Sequence, residues 1–505
     1  MPHLIVKWGR EKLEVNADLN EAPLLLKSQL YAITGVLPER QKVLIKVNLF
    51  AFFYCFIGKT LGDDDWNGIT LNDGAVIMMM GSAGDLPQVP EHRQQFIEDM
   101  TESEIAAAAD LPIGIKNLGN TCYLNATIQY LRVIPEIREA LNAYSGTRNT
   151  IFPDLAANLR ARSLTTAIKD IFMLMETPIC KKQGFIVPII VLQVLRRVFP
   201  KFATRDQYQF MQQDANECWT DLVRTIKAAL QSEDSNSHII EQFMEGSFDG
   251  TLKNLETEDE PLFKYSEKFL QLSCFLNQEV RYLQSGIKNK FKEVFEKHSE
   301  VLGRNAHYER NERLGRLPAY LSIQMVRFFY KEKDNVSAKI LKDVKFPLDL
   351  DVFDMCTPEL QAKLLPMREV FKVFKFSEIF KQENPLILEV AQEDGKAEEM
   401  MRDPDAKKLS EKKNEASEAM PFSFEDDPGS NNSGFYELIA VITHKGRSSS
   451  SGHYVAWIKI GADRWAMCDD DQVHAVTPEE ILKLSGGGDW HCAYLLLYGP
   501  RILKK

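Results

Sequence analysis

No stretch of the 505 residues approaches the ~18 consecutive apolar residues that cross a bilayer; the longest run, 49–57, has nine. The opening MPHLIVKWGR has no charged segment followed by an apolar one, so no secretory signal is expected there. Only eight cysteines occur, at 55, 122, 180, 218, 274, 356, 468 and 492, and none form a CxxC pair. That scatter speaks against a disulfide framework and against a zinc ribbon, and for free thiols in a reducing compartment. Glycine (27) and proline (22) are too few for a collagen-like or low-complexity chain, and no repeat of solenoid length is found. There is no basic excess either. A net charge of −11 and a pI near 5.5 repel phosphate backbones, so nucleic acid is not an expected partner, whereas a basic one is. A soluble intracellular protein is expected, in the cytoplasm with the nucleus as an alternative, without a transmembrane segment.

What is present is apolar content of 44% beside 26% charge, enough over this length to bury cores in two to four domains. The first 81 residues form a small domain. LIVKW (4–8) and KLEV (12–15) flank Gly9-Arg10-Glu11, a hairpin signal. Leu26, Leu30 and Ile33 repeat at helical spacing within 22–34, and Gly35 supplies the stop. KVLIKV (42–47) and AVIMMM (75–80) read as strands. The order strand, strand, helix, strand, turn-rich stretch, strand resembles the ubiquitin-like β-grasp, and PERQKVLIK (38–46) and LGDDDW (61–66) extend the likeness. Gly81-Ser82 runs on into the chain where ubiquitin ends in a diglycine, so the module is expected to dock and not to be conjugated. VNLFAFFYCFI (47–57) sits where such a domain makes a short turn; a lineage-specific insertion, a mis-spliced segment and a longer buried strand remain open.

Residues 82–111 read as a linker, with TESE (101–104) capping a short helix through 109. A second domain is expected over 112–500. Within it, half of residues 391–420 are charged and none is aromatic, the composition of a disordered surface insertion.

Two distant segments of that domain carry chemistry. In GIKNLGNTCYLNATIQYLRVIPEI (114–137), Gly119-Asn120 signals a turn, and Leu124, Ile128 and Leu131 then mark one face of a helix. Cys122 falls at the helix N-terminus, where free backbone N–H groups and the dipole favour thiolate. Alone, such a cysteine is more often a packed core residue; the turn, which presents N–H groups to a carbonyl held at the sulfur, argues for a nucleophile. In YELIAVITHKGRSSSSGHYVAWIKIGADRWAMCDDD (436–471), strand patterns cover 436–443, 453–460 and 464–468, and Gly461-Ala462-Asp463 turns the last two. Positions paired across a hairpin are symmetric about its centre, and His453 and Asp469 are symmetric about residue 461. The carboxylate then fixes the imidazole tautomer and stabilises the imidazolium; Asp470 is the alternative one register step away. A helix-borne cysteine with a sheet-borne histidine and acid is the papain-like arrangement of a thiol hydrolase.

GIKNLGNTCYLNATIQ resembles the cysteine box of the ubiquitin-specific protease family. YELIAVITHKGRSSSSGHYVAW, RWAMCDDDQV and AYLLLYGP resemble its histidine box, and QQDANECWTDLVR (212–224) the helix between them. With the ubiquitin-like segment, the chain is similar to the proteasome-associated branch of that family. The resemblance implies an α+β fold of fingers, palm and thumb. It implies Cys122 as nucleophile, His453 as general base and acid, Asp469 as orienting carboxylate and Asn117 as oxyanion donor. Asp214 is implied to hold ubiquitin's basic tail, with Tyr454 and Trp490 walling the channel that admits only glycine; core packing is the other reading of Trp490. The family often carries a four-cysteine zinc ribbon in its fingers, but 250–360 holds only Cys274 and Cys356, so neither a metal nor a cofactor is expected.

The implied activity is hydrolysis of the isopeptide bond after ubiquitin's last glycine, on polyubiquitinated proteins at the 26S proteasome regulatory particle, reached through the ubiquitin-like domain. A catalytically silent ubiquitin- and proteasome-binding scaffold is the alternative. A general papain-type peptidase lacks a secretory start or disulfides to support it. KGRSSSSG (445–452) reads as a flexible loop before His453 that obstructs the tail channel until docking shifts it.

Overall fold

The computed structural model describes residues 1–46, 58–66, 68–69, 71–81, 111–146, 155–206, 209–230, 239–331, 336–383, 419–448, 451–488 and 490–503. The apolar run 47–57, the linker and short helix of 82–110, and 391–418 of the charged stretch lie outside the described residues. The chain divides into two compact units, Met1–Phe96 and Ile97–Lys505.

In the first unit a two-residue turn at Gly9 (φ 59°) joins His3–Trp8 to Glu11–Asn16, with Trp8 opposite Glu11. The helix Pro23–Thr34 starts on a proline, whose missing N–H costs nothing at that position, and stops where Gly35 turns left-handed (φ 67°). Its buried face is Pro23, Leu26, Lys27, Leu30 and Thr34, which leaves Ile33 53% exposed and not in the core. The first strand pairs in parallel with Ala75–Met80, which pairs antiparallel with Lys42–Lys46, and Gly58–Thr60 closes the edge of a five-stranded β-grasp sheet. Period-two alternation sends Leu4, Val6, Val43, Ile45, Ile77 and Met79 inward and leaves Val76, Met78 and Met80 exposed.

The second unit is built on an eight-stranded sheet. Six of its strands are Leu321–Val326, Cys492–Pro500, Phe435–Ser448, Ser451–Lys459, Trp465–Asp469 and, at the edge, Gln472–Val476, in that spatial order. Alternate residues supply two cores. Ile442, Tyr454, Ala456, Cys468, Leu495 and Leu497 pack with the helices Cys122–Arg132, Leu155–Glu176 and Ala215–Ala229. Val441, Val455, Trp457 and Leu496 pack on the opposite side with Leu314, Leu350 and Leu364. A separate four-stranded antiparallel sheet, Gly246–Asn254 to Arg304–Arg316, stands where the fingers are expected. Cys274 and Cys356 are both buried in the second core, Cys274 giving its S–H to the Leu283 carbonyl and Cys356 to that of Val352. No described helix is long and apolar enough to cross a membrane.

The segment 445–452 differs from the expected loop. The strand runs on to Ser448 and pairs with Ser451, with a register shift after Lys445; 449–450 lie outside the described residues. Two glycines make this possible. Gly446 and Gly452 both have φ 124°, and a Cβ on Gly452 would fall 2.2 Å from the Lys445 carbonyl oxygen and 2.7 Å from His444 Nε2. Gly452→Ala is expected to cost ~2–3 kcal/mol and to lower activity through His453, the next residue, whereas the exposed Ser451→Ala stays within about 0.5 kcal/mol; denaturant midpoints of the two variants check this.

Candidate active site

Cys122 is the first residue of its helix and 2% exposed. The turn before it passes through two left-handed residues, Gly119 (φ 96°) and Asn120 (φ 53°). Asn117 holds that turn: its Oδ1 accepts from the N–H of Gly119 (2.9 Å) and Thr121 (3.3 Å) and from the Thr121 hydroxyl (3.2 Å). The Cys122 sulfur accepts the Tyr454 N–H at 3.5 Å.

His453 and Asp469 meet at 2.5 Å, Nε2 to Oδ1, each about one-third exposed at the side chain. The pairing register differs from the one expected by one residue pair. The ladder runs through Ala456↔Cys468, which continued would set Asp469 opposite Val455, two positions beyond His453 and on the same face. Side-chain reach along that face closes the gap. The Asp469 hydrogen bond, followed by the one to the Cys122 sulfur, raises His453 to about 10, and the bond to His453 in turn lowers Asp469. With Nε2 on Asp469, Nδ1 is the ring nitrogen left for the sulfur.

Asp470 completes the arrangement, and its role in it was not legible in the sequence. It occupies the turn after Asp469 with φ 54°, a conformation aspartate tolerates better than most residues. Its Oδ2 accepts from Asn117 Nδ2 (2.9 Å) and its Oδ1 from Asn125 Nδ2 (2.8 Å), and Oδ2 is 3.9 Å from His453 Nε2. Burial raises its pKa despite those donors. Asn117 therefore commits one amide hydrogen to Asp470, and its amide carries a second. The only sequence hint is the run of three aspartates at a hairpin turn.

Asp214 caps the helix Ala215–Ala229, accepting from Asn216 N (2.7 Å) and Glu217 N (3.1 Å), and its other oxygen accepts from the Tyr494 hydroxyl at 2.8 Å. Desolvation raises its pKa. Tyr454 lies with its ring 4.7 Å from His444 and 6.1 Å from Tyr494, 1% exposed; the ring packs inside the protein, so it does not wall an open channel, and its backbone N–H meets the sulfur. Trp490 is 64% exposed beneath Lys445 (4.6 Å), which rules out core packing for its ring. The structure thus brings Cys122, His453, Asp469 and Asn117 together and sets Asp214 behind them through Tyr494 and Tyr454.

A cysteine sulfur beside an imidazolium, with N–H donors at a helix start, can attack a carbonyl while the ring delivers a proton to the leaving group. Among the described residues, the ligand atoms of His453, Asp469 and Asp470 lie within 4.8 Å of one another, but the histidine and two amides already occupy them. That donor set fits a catalytic relay better than an ion.

The fold and this site define a papain-like thiol hydrolase. The family described as ubiquitin carboxyl-terminal hydrolase matches residues 113–498. Ubiquitin carboxyl-terminal hydrolase 14 of Caenorhabditis elegans is 40% identical over all of this chain and 94% of that protein. Hydrolase 6 of Arabidopsis thaliana is 35% identical over the full length of both chains, and hydrolase 6 of Schizosaccharomyces pombe 34% over 98% of each. The SAGA Ubp8/Sgf11/Sus1/Sgf73 DUB module bound to ubiquitin aldehyde shares the fold, with a TM-score of 0.50 at 18% identity over 77% of this chain and 69% of that one. The chain belongs to the ubiquitin carboxyl-terminal hydrolase family and is a deubiquitinating cysteine protease.

Two outcomes are expected. In Asp469→Asn the alkaline limb of kcat/KM, set by loss of the imidazolium near 10, moves down towards the ordinary imidazole value of 6.5, as read on ubiquitin bearing a C-terminal fluorophore. Asp470→Asn puts an amide where two amides now donate, so kcat falls ~10–100-fold while the melting temperature changes by only a few degrees.

Proposed function

We propose that Cys122 attacks the carbonyl of ubiquitin's terminal glycine, with the turn N–H groups and the free amide hydrogen of Asn117 receiving the oxyanion. His453 gives its proton to the departing lysine amine as the C–N bond breaks, leaving a thioester. The same imidazole then takes a proton from water, whose oxygen displaces the sulfur and frees ubiquitin. Asp469 holds the ring. Asp214, braced by Tyr494, offers its remaining acceptor capacity to an arginine of ubiquitin's tail. The observation that carries this reading is the 2.5 Å His453–Asp469 bond beside the buried sulfur.

The reading extends to polyubiquitinated proteins at the 26S proteasome regulatory particle, in the cytoplasm and nucleus, with the β-grasp unit as the docking module. Its exposed Val76, Met78 and Met80 (42%, 44% and 52%) supply the apolar face that docking needs. Docking shifts the 445–452 hairpin and quickens an enzyme that is slow when free.

Ubiquitin carrying a C-terminal electrophile, with and without proteasome, tests this. The expected result is an adduct on Cys122, formed faster with proteasome, absent in Cys122→Ala, and no longer accelerated when Met78 and Met80 are both changed to Asp. An adduct elsewhere overturns the site, and equal rates with and without proteasome overturn the docking.

A further inference from the structure

Beside the active site lies a cluster of cationic groups that the chemistry above does not use. The short ladder Arg205–Asp206/Gln209–Phe210 precedes the helix capped by Asp214. Phe210 is covered by two guanidiniums: Cζ of Arg196 is 3.5 Å and that of Arg205 4.1 Å from the ring centroid. At these distances the two guanidiniums take opposite faces of the ring, which holds both cations beside one another across it despite their mutual repulsion. Among the described residues no carboxylate forms an ion pair with Arg196, Arg197 or Arg205; Lys201, the other cation of this stretch, is held by Asp221 (2.8 Å) and Glu217 (3.3 Å). Asp206 follows Arg205 and so projects to the other side of the ladder. Burial and the neighbouring Arg205 both draw Arg196 below its ordinary value, partly offset by Tyr123.

The cluster is tied to the reacting centre at two points. The Phe210 carbonyl accepts from Asn120 Nδ2 at 2.9 Å, two residues before Cys122. Arg196 also lies beside Tyr123, the residue after Cys122, whose ring stacks on Phe202 at 5.7 Å. A group bound here therefore neighbours the turn and the first helical residues that carry Cys122. The ubiquitin side of that bond brings arginines, which Asp214 suits and two unpaired guanidiniums repel. The other side brings the lysine and its flanking residues.

Resting on the hydrolase reading above, we infer that Arg196 and Arg205, fixed on Phe210, form a subsite for acidic side chains flanking the ubiquitin-bearing lysine of the substrate. The subsite favours leaving groups with aspartate or glutamate beside the scissile linkage, chiefly in KM, and its effect weakens with salt.

The test compares ubiquitin joined through an isopeptide bond to a lysine peptide with acidic flanks against one with neutral flanks, using the full chain at low and at 0.5 M salt. Hydrolysis of ubiquitin–fluorophore reads the protease assignment separately, so the subsite stands or falls on the ratio between the two peptides. The wild type is expected to favour the acidic peptide about three- to five-fold in KM at low salt. Arg205→Gln should bring the ratio near one, and Arg205→Glu should invert it in favour of the peptide with neutral flanks. A wild-type ratio of one, or a preference that survives both substitutions, overturns the inference.

Discussion

One hairpin turn holds two consecutive carboxylates that do different work, and the site depends on their separation. Asp469, at the end of its strand, takes the imidazole; Asp470, with its backbone in the left-handed region, swings its carboxylate to the other side and takes two asparagine amides. Asn117 lies 353 residues away in sequence, so a two-residue turn binds the helix layer to the sheet layer at the point where sulfur and imidazole meet. Their environments pull the two acids apart. Asp469 is lowered by the hydrogen bond from His453, with its charge adding to that, and Asp470 is raised by burial. The first serves the imidazolium; the second serves geometry.

The same economy governs the rest of the palm. Arg327 is fully buried without a carboxylate and donates instead to four carbonyls, those of Ala493, Ile340, Lys342 and Ser485, joining a strand, a hairpin exit and a turn. A planar donor fork satisfies several orphan carbonyls at once, which no apolar residue of similar volume does. Close behind the imidazole–carboxylate pair, the Thr443 hydroxyl accepts from the Trp457 indole (2.9 Å) and meets His491 Nδ1 (3.1 Å). Burial holds His491 near 4 and His444 near 3, so both rings stay neutral and His453 is left as the charged imidazole of the group.

Much of this was legible where local chemistry decides. The Gly9 hairpin, the Gly35 stop, the helix starting at Cys122 and the strand carrying His453 each rest on turn residues and periodicity within a few positions. Failures came where a distant element chooses. Symmetry about residue 461 ignores the identity of the turn, and the turn sets the ladder one pair further on. Ile33 has helical spacing but falls off the face that the helix buries, 23, 26, 27, 30 and 34. Serine-rich composition suggested a loose loop, whereas two opposed glycines let the strands stay paired to Ser448 and Ser451. The Asp470 bonds to Asn117 and Asn125 span 353 and 345 residues, beyond any local pattern.

The four-stranded sheet shows how such an element closes on hydrogen bonds. At its tip Glu260 accepts from Asn254 (2.7 Å), Ser299 (2.9 Å) and the Tyr308 hydroxyl (2.8 Å), drawing three separate strands onto one carboxylate. Glu256 ties its loop to a single strand through His307 (2.7 Å) and Arg304 (2.6 Å), and those hydrogen bonds, His307's first, hold its pKa well below the usual carboxylate range. A four-thiolate clip needs four cysteines at fixed spacing, but a carboxylate needs only donors that converge, and these can come from any strand register that brings them near. The difference is in response to conditions. A thiolate clip opens with chelation or oxidation, while this one loosens as acid protonates Glu256 and Glu260. Hydrogen bonds from those donors draw both carboxylates below their ordinary values, which keeps the clip closed further into acid than a free glutamate would.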